Sequence, residues 1–206
     1  MISSRLRQAA VAAAFVAAYV ALDRVSFIHS INALNITPWN PPPGLGLALL
    51  LLAGARVVPL VFAGALAADL AVRGLPGPWW AAVGADASMA LVYGVAAALL
   101  RRQAHFNPHL PGLRDVFWLL AATVVAAGAA AVAYVGFYRA AGLVASDLLG
   151  PAMVRYWIGD MIGIAVLTPA ILLLRQWRRP SRRVVAEASA QAAALAAALW
   201  LVFGLG

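Results

Sequence analysis

Apolar residues in this chain come in long unbroken runs, separated by short clusters of arginine, proline and glycine. The runs show neither the period-2 alternation of a half-buried strand nor the narrow stripe of a surface helix. Several approach or exceed the ~18–20 residues that a helix needs to cross a bilayer. Continuous runs also disfavour a β-barrel, whose strands alternate between lipid and lumen. The pattern predicts an all-α, polytopic integral membrane bundle of about seven helices, at 5–27, 44–54, 57–73, 79–100, 115–139, 152–174 and 185–204. They form a single membrane domain over 1–206. Arg5 and Arg7 before the first run would also suit a secretory signal, but the spans that follow favour a retained helix.

One element departs from this regularity. Residues 44–54 follow the rigid segment Pro38-Trp39-Asn40-Pro41-Pro42-Pro43. Eleven helical residues reach only about 17 Å, well short of the ~30 Å hydrocarbon core. The helix must therefore begin at depth, beneath the proline segment, or be re-entrant. Irregular backbone at such depth is tolerated where protein or a wet cavity surrounds it. Pro59 is expected to kink the following helix near its start.

Composition agrees with the pattern: the chain is 65% apolar and 11% charged, with a mean hydropathy of +0.90. The net charge of +8 raises the question of nucleic acid. All 15 basic residues are arginine, however, and they lie between the spans or close to their ends. With the N-terminus in the cytoplasm, eleven arginines fall inside and four outside, as the positive-inside rule expects. That count requires element 44–54 to cross. The bilayer is thus the expected partner, and nucleic acid is not. With no cysteine, disulfides, thiolate nucleophiles and Cys-ligated metals are excluded. His29, His105 and His109 lie in or near loops, with no pair across two spans, so haem is not expected. No cofactor is implied. No nucleophile elbow, Walker or HExxH motif is present, and no enzyme activity is expected.

Three acids lie within spans: Asp69, Asp86 and Asp160. Each costs ~2.5–3.5 kcal/mol to insert, which invites a functional question. Counted from the outer ends of their helices, they lie at depths of roughly 6, 10 and 12 Å. Asn40 stands at the N-terminal end of the short helix on the same side, and Arg155 and Trp157 lie about one turn outward of Asp160. The arrangement predicts an outward-facing polar pocket for a small ligand or ion. Asp160 and Trp157 would form its core, Asp86 and Asp69 would supply acceptors, and Asn40 and Arg155 would complete it. The blander reading is that such acids bond neighbouring helices together, and that Asp160 and Arg155 neutralise each other.

Two stretches carry a resemblance. Asn40-Pro41-Pro42-Pro43-Gly44 is followed by the Gly54-Ala55-Arg56 break, and Trp157-Ile158-Gly159-Asp160-Met161-Ile162-Gly163 leads to Pro169. Together they resemble the first type of membrane-associated sensor domain, an input module of bacterial signalling proteins. The likeness implies a site in the bacterial cytoplasmic membrane and a sensory role. It also implies a membrane or signalling protein as partner, since members are usually fused to cytoplasmic output domains. It names no ligand. Two other roles stand beside it: a structural or accessory subunit of a membrane complex, and a substrate-capture subunit of a transporter. The proline–glycine entry is faintly similar to the capture subunits of bacterial vitamin importers.

Overall fold

A computed structural model describes residues 2–26, 39–75, 77–174 and 189–190. By contacts the chain divides into Met1–Leu173 and Leu174–Gly206. The expected helix 185–204 lies outside the described residues, except for helical Ser189 and Ala190. So do His29 and Pro38. The described residues are all-helical: α1 (Ile2–Ser26), α2 (Pro42–Ala53), α3 (Val58–Ala68), α4 (Trp79–Arg102), α5 (Leu113–Ala140) and α6 (Leu149–Leu174). Five helical stretches among them are long and apolar enough to cross a membrane, and α2 is the short exception.

Small residues let these helices approach closely, which is how helices associate where lipid removes the hydrophobic drive. Helix α4 is central and packs against α2, α3 and α5. Its buried face is the stripe Ala82, Ala85, Asp86, Met89, Ala90, Tyr93, Ala97. The opposite face shows Leu91, Val95 and Leu99 outward, at the i, i+4 spacing of a lipid-facing stripe. Helix α1 packs on α3. There Gly64 makes room for the Tyr19 ring, which would stand 3.1 Å from a Cβ at that position.

Proline and glycine set the ends of the short helix. Pro42 and Pro43 occupy the first turn of α2, where a missing N–H costs nothing. Gly54 closes the helix with φ +83°, a region that favours glycine. At that end Arg101, from the last turn of α4, donates to the Leu51 carbonyl at 2.8 Å. A cation there complements the helix dipole. Helix α2 therefore runs about 18 Å and finishes beside the C-terminal end of α4. Pro59 does not kink a helix. A 3-10 turn at Ala55–Val57 comes first, and Pro59 falls in the first turn of α3. The irregularity of this segment lies instead at its other end, where Asp69–Arg73 forms a single π turn.

The start of α2 is docked on α6 by backbone contacts. The Asn40 N–H donates to the Gly159 carbonyl at 3.0 Å. The Thr168 hydroxyl donates to the Gly44 carbonyl at 2.8 Å. A Cβ on Gly163 would overlap the Asn40 carbonyl, and one on Gly44 would stand 2.6 Å from the Gly163 oxygen. Gly159 and Gly163, one turn apart, form a small-xxx-small seat for irregular backbone at depth.

This seat predicts that Gly163→Ala destabilises the fold by about 1–3 kcal/mol, the usual cost of overpacking. Gly150→Ala, with open space at its Cβ, serves as the neutral control on the same helix. Thermal unfolding in lipid nanodiscs checks both.

Candidate functional site

Helices α1, α3 and α5 end where α2, α4 and α6 begin, and four of the five buried acids among the described residues gather towards that junction. Asp23, Asp69, Asp86 and Asp160 are each at most 3% exposed. All five tyrosines of the chain join them: Tyr19, Tyr93, Tyr134, Tyr138 and Tyr156.

One half of the cluster is built on Arg73. Its guanidinium makes a two-pronged contact with Asp23 on α1, at 2.8 and 2.9 Å, and a third bond to Asp69 at 2.7 Å. Paired N–H donors match the carboxylate fork and fix its orientation. Asp69 also accepts from the Tyr138 hydroxyl at 3.1 Å and, more weakly, from Tyr134 at 3.4 Å. The π turn carries both Asp69 and Arg73 and is closed by Gly74 in the left-handed region. Such widened turns recur at functional sites.

The other half is built on Asp160. Its Oδ1 accepts from the Asn40 Nδ2 at 2.7 Å, and its Oδ2 accepts from the Tyr93 hydroxyl at 2.5 Å. Both oxygens are thus occupied by side chains from other elements. The carboxylate joins the entry of α2, the middle of α4 and α6.

Between the halves lies a cavity of about 40 Å³. Every described helix contributes to its wall: Tyr19 and Asp23 from α1, Pro43 from α2, Asp69 from the end of α3, Asp86 and Met89 from α4, Tyr134 from α5 and Tyr156 from α6. Asn40 lines it from the entry segment. The Tyr134 and Tyr156 rings stack with centroids 4.6 Å apart. Two buried oxygens, Asp86 Oδ2 and Asn40 Oδ1, have no hydrogen-bond partner among the described residues. Buried acceptors without partners are rare and call for an explanation.

Of the six residues singled out from sequence, Asn40, Asp69 and Asp86 line this cavity. Asp160 stands behind it, bonded through Asn40. Trp157 turns towards α5, where its Nε1 donates to the Val124 carbonyl at 2.9 Å. Arg155 is exposed on α6. Neither lines the cavity. Helical geometry accounts for both: at ~100° per residue, Trp157 lies about 60° and Arg155 about 140° around the helix from Asp160. Sequence reading passed over Asp23, Arg73 and the tyrosines. The signal for the first two was their place at helix ends on one side. For the tyrosines it was that each falls near the same end of its span, except Tyr93.

The Arg73 cluster predicts that Arg73→Met leaves two buried carboxylates without their cation. The expected cost is about 3–5 kcal/mol, read as lost folded protein in a detergent melting assay. Adding Asp23→Asn and Asp69→Asn restores most of it.

The comparisons with known proteins come to one finding. A family model, MASE1, matches residues 7–205, nearly the whole chain. No curated protein and no solved structure matches. The match spans both the Asn40–Gly44 entry and the Gly159–Gly163 seat, the two segments that dock on each other. The chain belongs to the MASE1 family of membrane sensor domains.

Proposed function

We propose that this chain is a non-enzymatic sensory input module of the bacterial cytoplasmic membrane. Its N-terminus is cytoplasmic, and the polar junction faces outward. A small ligand or ion occupies the cavity, changes the packing of the helices and so signals to a membrane or signalling partner. The observation that carries this reading is that the cavity draws its wall from all six described helices. An occupant there meets every element at once. It can therefore favour one packing over another, as a ligand must if it is to shift a conformational equilibrium. The unpartnered Asp86 and Asn40 oxygens support the same reading, because they leave hydrogen-bonding capacity for an occupant. The arginine asymmetry supports the orientation.

A second reading, an accessory subunit without a ligand, is favoured by Asp160. With both oxygens engaged by Asn40 and Tyr93, it acts as a bond between helices.

Cross-linking mass spectrometry on membranes from producing cells separates the two. Ala68 is buried and lines the cavity, so Ala68→Leu fills it. Val95 faces outward, so Val95→Leu is the control. The sensory reading predicts that Ala68→Leu alone changes cross-link yields several-fold, within the chain and to its partner. Unchanged yields with the partner still bound would establish the accessory role instead.

A further inference from the structure

The sensory reading leaves the occupant as any small ligand or ion. Building on that reading, we propose that the cavity beside Asp86 binds a small N–H-donating ammonium ion, ammonium itself or methylammonium.

Size sets the first limit. The cavity is small, about 40 Å³, which favours an occupant of few heavy atoms. Charge sets the second. Carboxylates outnumber guanidinium groups three to one among the lining residues, and Arg73 is engaged by Asp23 and Asp69. An anion would meet net repulsion there. Hydrogen bonding sets the third. The two unpartnered oxygens, Asp86 Oδ2 and Asn40 Oδ1, are acceptors. They call for an occupant that donates, and Asp86 is itself only 2% exposed.

A donor-rich cation and a bare metal ion remain, and the ligand set distinguishes them. Among the described residues, no three His, Cys, Asp or Glu side chains converge closely enough to hold a metal. The wall instead pairs the acceptors of Asp86 and Asn40, which come from different elements, with the tyrosines Tyr134 and Tyr156. Aromatic rings attract ammonium groups, and acceptors on two elements suit an ion with several N–H donors.

The absence of cysteine makes a clean test. Met89 lines the cavity and is 3% exposed, so Met89→Cys places a single thiol there. The protein is set in nanodiscs of phosphatidylcholine and phosphatidylglycerol, which offer no primary amine of their own. Modification by methyl methanethiosulfonate is followed by intact mass, in methylammonium or tetramethylammonium chloride at equal ionic strength. The proposal predicts at least five-fold slower modification in methylammonium, with the protection lost when Asp86→Asn is added. Equal rates in the two salts, or protection that survives Asp86→Asn, would overturn the ammonium assignment and leave the open pocket standing. A thiol that reacts in denatured protein and not in folded protein would overturn both. Should the Asp86 variant fail to fold, the comparison of salts in the single variant decides.

Discussion

The structure depends on docking a non-helical stretch of backbone into the interior of a helical bundle. Lipid offers no water to hydrogen-bond exposed peptide groups. The non-helical residues just before α2 sit against α6, so their polar groups must find partners in protein. Asn40 is where this is achieved. Its N–H is taken by the Gly159 carbonyl, and its side-chain amide by Asp160. The glycines of α6 open the space for that contact, and Thr168 secures the first turn of α2. Asp160 is ionisable and fully buried because Asn40 and Tyr93 both donate to it.

Function builds on the same contact. With α2 short and seated on α6, its N-terminal end stops at the level of the carboxylates. The bundle keeps a small polar chamber there, where longer helices would have continued. The second cluster closes the chamber from the other side: the π turn holds Asp69 and Arg73 against Asp23 of α1. The two clusters are built differently. The Arg73 cluster sets one guanidinium against two carboxylates, whereas the Asp160 cluster holds its carboxylate through neutral donors. Asp86 belongs to neither, and its free oxygen faces the space between them. That division separates groups that hold helices together from a group available to an occupant.

Much of this was legible in the sequence, for definite reasons. Continuous apolar runs can only be membrane helices, so the fold class followed from run length. The shortness of α2 followed from the break at Gly54, only eleven residues on from the end of the proline segment. The gathering of Asp69, Asp86 and Asn40 followed from counting turns inward from helix ends. Three features were not legible. The partners of Asp23 and Arg73 depend on which helices are neighbours, and two charges at helix ends look like ordinary boundary markers. The five tyrosines come from four helices, α1, α4, α5 and α6, and meet only through tertiary packing. Trp157 looked close to Asp160 along the chain, yet a turn of some 60° aims it at a different helix. Pro59 showed the same limit: proline breaks a helix interior, but the residues before it had already formed a separate turn.

The central claim is that the Asn40–Asp160 contact seats α2 on α6 and thereby holds the chamber open. A double-mutant cycle of Asn40→Ala and Asp160→Ala, read by equilibrium stability in nanodiscs, tests it most directly. The account predicts that the two changes are strongly non-additive, with a coupling of about 1 kcal/mol or more, as a buried charge-assisted hydrogen bond should give. Additivity to within roughly 0.3 kcal/mol would contradict it.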